Sequence, residues 1–181
     1  MEIIQSPLKD CFYIKPNVFE DKRGVFSETY NQKQFEKASG LSVNFVQDNQ
    51  STSKYGVLRG LHFQMGTMAQ AKLVRVAQGR VLDIVVDLRK DSPSFGRQFS
   101  LELSGENAFQ LFVPRGFAHG FVTLSEKSIF CYKCDNFYDK VSESGIIYND
   151  ATLNLDWHLP QEDLIVSEKD LELPTFKEVT Q

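Results

Sequence analysis

The chain has 181 residues, 41% hydrophobic and 24% charged, with 20 Lys and Arg against 24 Asp and Glu for a net charge of −4. That length suits one domain over 1–181, and the composition is globular, which argues against long-range disorder. The acidic balance argues against a protein that coats nucleic acid, and no run approaches the ~20 apolar residues needed to cross a bilayer.

In chain order, the first patterned segment is Phe26 to Ser39, which carries the best short helical pattern, with Phe35 and Ala38 apolar. Phe45–Asn49 and Gly56–Gln64 then read as strands. Lys72–Ala77 and Arg80–Leu88 flank Gln78-Gly79 and read as a β-hairpin. Phe99–Leu103, Ala108–Val113, Gly120–Leu124 and Ser128–Cys134 follow, with turn residues between them. Short runs rich in Val, Ile, Tyr and Phe, separated by Gly, Asn, Asp and Ser, predict an all-β sandwich or barrel. The stretch from Pro160 is polar and punctuated by proline; it is expected to wrap the surface or close over something.

The three cysteines are Cys11, Cys131 and Cys134. The N-terminus has no basic segment followed by an apolar one, so no secretory signal is read, and a cytoplasmic protein without a disulfide framework is expected. Cys131 and Cys134 have C-x-x-C spacing, but a structural zinc needs four ligands and no second pair exists. On a strand, positions three apart face opposite sides, so these read as unconnected thiols.

Histidine occurs three times, as His62, His119 and His158. His158 has no polar partner nearby in sequence and reads as a surface or packing residue. His62 lies in an apolar strand three residues after Arg59, and His119 in a loop entering a strand. Lys72 shares strand parity with Val74 and Val76, and a lysine on an apolar face is unfavourable unless it meets an anion. One interior therefore holds cations among apolar walls, as expected of a pocket for a negatively charged ligand. A barrel metal site is disfavoured, because Phe63 and Gln64 follow His62 where further ligands would be needed.

Several runs together resemble the dTDP-4-dehydrorhamnose 3,5-epimerase family. They are Phe19–Gly24, Phe45–Ser53, GVLRGLHFQ (56–64), Gln70–Val76, VPRGFAHGF (113–121), Tyr148–Asp150 and Leu164–Asp170. The resemblance covers nearly the whole chain in order. It implies a cupin-like jelly roll, a homodimer, no metal or other cofactor, and a role in nucleotide-activated deoxysugar synthesis. The implied substrate is a dTDP-linked 4-keto-6-deoxyhexose, whose C4 ketone acidifies the C–H bonds at C3 and C5. Inversion needs a base, a holder for the enolate oxygen and an acid on the other side of the ring.

By resemblance the base is His62, paired with Asp170, and an imidazole suits proton removal near neutrality. Lys72 is placed to hold the enolate oxygen and Tyr132 matches the acid. The resemblance sets Arg59, His119, Arg23 and Lys169 toward the diphosphate and its surroundings. It sets Glu28, Gln47, Asp48 and Asn49 toward the base and sugar, with Glu143 as a further contact and Tyr138 as a thymine stack. Arg23 and Glu28 are expected to reach across from the partner subunit on an N-terminal arm. Tyr148 and Gln50 depart from the family, in which Trp and His are common at these places.

Arg59 and His62 differ by three and would face opposite sides of a regular strand. Lining one pocket requires an irregularity, and Gly60-Leu61 is where one is expected. Two other readings stand beside C3 and C5 epimerisation: an epimerase acting at C3 alone, and a jelly roll that binds a nucleotide sugar without chemistry.

Overall fold

The structure is a computed structural model that describes residues 1–181. A six-stranded antiparallel sheet runs β1 (Glu2–Gln5), β2 (Phe12–Lys15), β10 (Gln110–Val113), β7 (Lys72–Gln78), β12 (Lys127–Cys134), β5 (Gln47–Lys54). A five-stranded antiparallel sheet faces it, in the order β13 (Glu143–Gly145), β6 (Leu58–Gln64), β11 (Phe117–Thr123), β8 (Arg80–Asp87), β9 (Gln98–Ser104). β3 (Val18–Asp21) and β4 (Gly24–Ser27) pair only with each other. The helices are short: α1 (Gln32–Ser39), α2 (Glu168–Leu171) and α3 (Phe176–Thr180). This is the expected cupin-like jelly roll. No helix is long and apolar enough to cross a membrane.

Three apolar clusters hold the layers together. Val74, Val76, Val81, Val85, Leu103, Phe121 and Phe130 fill the space between the sheets. Leu82, Ile84, Val86 and Val122 face the other way, under Ile146, Trp157 and Phe176 of the C-terminal third. Phe12, Ile14, Leu73 and Phe112 pack beneath Phe35 of α1 on the outer face of the six-stranded sheet. β8 thus feeds one core with odd positions and another with even ones. This explains why Val81 to Val86 reads as a nearly unbroken apolar run, not an alternating one.

Two expectations are corrected. Lys72–Ala77 and Arg80–Leu88 are strands but not a hairpin: β7 lies between β10 and β12, and β8 between β11 and β9. The chain changes sheets at Gly79, where φ is 78° and a Cβ would sit 2.0 Å from the Lys127 carbonyl oxygen. Two β-rich runs about a glycine turn look alike in sequence whether they pair or part. The helix occupies Gln32–Ser39, not Phe26–Ser39. Asn31 caps it by accepting from the Gln34 N–H at 3.2 Å, Gly40 closes it at φ 72°, and Phe26 and Ser27 belong to β4.

Candidate active site

The site is assembled at β6. Opposite it on β11, His119 faces His62 but Phe121 faces Arg59, so Gly60 and Leu61 together oppose Gly120 alone. That bulge is the irregularity the sequence required, and it brings Arg59 and His62 into the lining of one cavity of about 530 Å³. Gly60 has φ 126°, its peptide to Leu61 is cis, and a Cβ there would lie 2.5 Å from the Gly120 Cα. No other residue fits at position 60 without displacing backbone.

The facing sheet supplies the opposite wall: Lys72 from β7 and Tyr132 from β12. The C-terminal stretch closes over the cavity, as its composition suggested. The Leu58 N–H donates to the Ile165 carbonyl at 2.9 Å and the Ile165 N–H to the Gly56 carbonyl at 2.8 Å. This strap leads into α2, whose cap Ser167 accepts from the Asp170 N–H at 3.2 Å and which carries Lys169 and Asp170 to the cavity. A second space of about 290 Å³ adjoins it, sharing His62, Lys72 and Tyr132 and lined further by Gln47, Asn49, Tyr138 and Glu143.

His62 Nε2 lies 2.7 Å from Asp170 Oδ1, and the Gly60 N–H donates to Asp170 Oδ2 at 3.3 Å. Burial pushes the Asp170 carboxyl up, but the His62 contact outweighs it, with the Gly60 N–H and Ser167, and holds it below its ordinary value. Burial pulls the Lys72 ammonium below the usual lysine range, partly offset by Cys134, Asp83 and Glu143. Burial also raises the Tyr132 phenol, with Arg59 opposing, so the phenol keeps its proton at neutral pH. Glu143 is pushed up by burial but ends below its usual range through Lys169, at 2.5 Å, and the Tyr138 hydroxyl, at 3.0 Å. Arg59 Nε donates to Ser53 Oγ at 3.1 Å.

Eleven of the fourteen residues singled out in the sequence line these two spaces. Three do not. The Asp48 carboxylate points to the other face of β5 and pairs with Lys133 Nζ at 2.8 Å, because neighbours on a strand alternate sides. Arg23 is almost fully exposed on the β3–β4 hairpin, paired with Asp21 at 2.6 Å. Glu28 follows that hairpin and accepts from Gln34 Nε2 at 2.9 Å. His158 is exposed. Cys131 and Cys134 line different cavities, as opposite faces of β12 require. No group of three His, Cys, Asp or Glu side chains converges as metal ligands would.

Two supporting residues escaped the sequence reading: Ser53, which holds Arg59, and Asp83, which lies against His119. Asp83 did leave a signal, as the lone acid inside the apolar run Val81–Val86.

The family model described as dTDP-4-dehydrorhamnose 3,5-epimerase matches residues 5–178. The dTDP-4-dehydrorhamnose 3,5-epimerase of Shigella flexneri is 48% identical over 94% of this chain and 93% of that protein. The crystal structure of the enzyme of that name from Elizabethkingia anophelis NUHP1 superposes with a TM-score of 0.95 at 56% identity, covering 100% of this chain and 99% of that one. A dTDP-6-deoxy-D-glucose-3,5-epimerase from Legionella pneumophila, in complex with dTDP-4-keto-L-rhamnose, superposes with a TM-score of 0.93 at 42% identity, covering 97% and 93%. With its fold and its sequence matching from end to end, this chain belongs to the dTDP-4-dehydrorhamnose 3,5-epimerase family.

Proposed function

We propose that this chain epimerises dTDP-4-dehydro-6-deoxy-D-glucose at C3 and C5, giving dTDP-4-dehydro-L-rhamnose, with His62, Asp170, Lys72 and Tyr132 as its machinery. One observation carries the assignment of roles. His62 and Tyr132 project from facing sheets into a shared cavity, so a base and an acid stand on opposite walls with room for a sugar between them. Inversion by separate base and acid requires that arrangement.

His62 takes the proton from C5 or C3, and the C–H bonding pair moves into an enolate whose charge rests on the C4 oxygen. Asp170 orients the imidazole and balances its new positive charge. Lys72 holds the enolate oxygen. Tyr132 returns a proton to the opposite face of the same carbon, and its phenolate and the His62 imidazolium reset by exchange with water. Each proton moves to or from carbon and no electron is lost, so the chemistry as written needs neither redox cofactor nor metal.

The nucleotide occupies the adjoining space, with thymine against Tyr138, Gln47 and Asn49 beside it, and the diphosphate near Arg59, His119 and Lys169. Glu143 ties Tyr138 to Lys169 and so links the two ends. The reading takes residues 1–181 as one epimerase domain, acting in the cytoplasm, where nucleotide sugars are made.

The chain works as a homodimer in this reading, with the β3–β4 arm carrying Arg23 and Glu28 to the partner's cavity. The support is that Phe19, Val25 and Phe26 of the arm are each at least 60% exposed, on a hairpin that joins neither sheet. Incubation with the dTDP-4-keto sugar in deuterated water tests the chemistry. Deuterium is expected at both C3 and C5 of an inverted product. Incorporation at C3 alone would mark a C3 epimerase, and none at either carbon a binding module.

A further inference from the structure

Asp83 of β8 lies beneath the cavity, wholly buried in the core between the sheets. Its carboxylate oxygens are 3.1 and 2.9 Å from Nε2 of His119, and no other group donates to them. Asp170 is better provided, since it also receives the Gly60 N–H. A carboxylate in an apolar interior with a single donor is a poor source of stability. Its consequence for His119 is more definite. With the carboxylate as the acceptor, the hydrogen on this edge of the ring sits on Nε2. Nδ1 has no partner in the chain, yet no buried side-chain nitrogen or oxygen is left unpaired, so Nδ1 opens onto the cavity that His119 lines. Arg59, Lys72 and Lys169 line the same cavity.

We infer that Asp83 is a positioning residue for nucleotide binding: by holding Nε2 of His119 and balancing the imidazolium formed on binding, it keeps Nδ1 turned to the diphosphate of the substrate as a second N–H donor. Asp83 itself touches no substrate atom. Without it the imidazole is free to rotate about its χ2 bond and to present carbon where nitrogen is needed. The inference rests on the nucleotide-sugar reading above and adds a residue to it.

The test uses the full-length protein and dTDP. Asp83→Leu keeps the branching and heavy-atom count of the side chain, with greater bulk, and removes the acceptor. Calorimetric affinity for dTDP is expected to fall about tenfold or more, with KM for the sugar substrate rising in step. The turnover number is expected to stay within about threefold, because the proton-transfer groups are elsewhere. Asp83→Asn keeps an acceptor oxygen and is expected to recover most of the affinity. Unchanged dTDP binding in Asp83→Leu, or a fall in kcat with KM unchanged, would overturn the inference.

Wild-type protein reads the same point should Asp83→Leu not fold. With only three histidines, long-range proton–nitrogen NMR resolves each imidazole. His119 is expected to keep its proton on Nε2, with the Nδ1 resonance moving on addition of dTDP. A resonance that does not move, or a ring protonated on Nδ1 alone, overturns the assignment. A wild type that binds no dTDP and turns over no dTDP-4-keto sugar sinks the functional reading itself, and this inference with it.

Discussion

His62 Nε2 lies 2.7 Å from Asp170 Oδ1, although 108 residues separate the two in the chain. The pair exists because the bulge at Gly60-Leu61 turns His62 into the cavity while the strap through Ile165 brings α2 down over it. Breaking it should affect chemistry more than folding. Asp170→Asn is expected to lower kcat about 10²–10⁴-fold, the range lost when a general base is no longer oriented or balanced. Steady-state rates with a melting curve as control check this; kcat within a few-fold of wild type would rule out the pairing as functional.

His62→Asn is expected to abolish deuterium exchange at both carbons while dTDP still binds. Tyr132→Phe should separate the two half-reactions. It retains the base, so solvent deuterium should still enter the starting sugar while the inverted product falls sharply. Mass spectrometry of recovered substrate together with product NMR reads both. Unchanged turnover would exclude the phenol as the acid.

Lys72 is expected to set the alkaline side of the rate profile. Its ammonium must stay protonated to hold the enolate oxygen, so activity is present below its folded pKa and lost above it. Burial sets that pKa below the ordinary lysine value, so the alkaline limb should fall earlier than an exposed lysine would allow. Lys72→Met should lower kcat about 10²–10³-fold and remove this limb. A pH–rate series for both proteins decides it, and a limb that survives in Lys72→Met belongs to another group.

The arm can be tested by mixing inactive subunits. If Arg23 serves the partner's cavity, a heterodimer of Arg23→Ala and His62→Asn contains one site with both defects and one with neither. Activity above that of either parent is expected after subunit exchange, measured as turnover with sedimentation confirming dimers. No recovery among proven heterodimers would place Arg23 in its own subunit's site or outside any site.

Asp87, away from the site, is expected to contribute to acid stability. Burial pushes its carboxyl up, but Arg89, Ser92 and Ser94 outweigh this and hold it at about 2. The folded value lies below the unfolded one of ~3.9, so the stabilisation is complete above pH ~5 and is lost as pH falls through about 2. It amounts to about 2 kcal/mol for this fully buried side chain. Urea unfolding of wild type and Asp87→Asn should show a gap at pH 7 that narrows by about that amount in acid. A gap independent of pH would show that the charge is not its source.

The β architecture follows from the amino-acid sequence alone, because runs such as Lys72–Ala77 and Ser128–Cys134 carry strand residues between turn formers whatever they pair with. The sequence also marked Lys72 as a charge out of place among valines, and required a broken strand between Arg59 and His62 if both were to line one pocket. The resemblance, not spacing, supplied Asp170, one acid among many near the C-terminus. Packing in three dimensions fixes that β7 and β8 part company at Gly79, that Asp48 faces away from the cavity, and that Asp83 lies under His119. One cause underlies all three. Strand propensity and parity are local, whereas which sheet a strand joins and which side chain it meets depend on long-range packing that no short window of sequence contains.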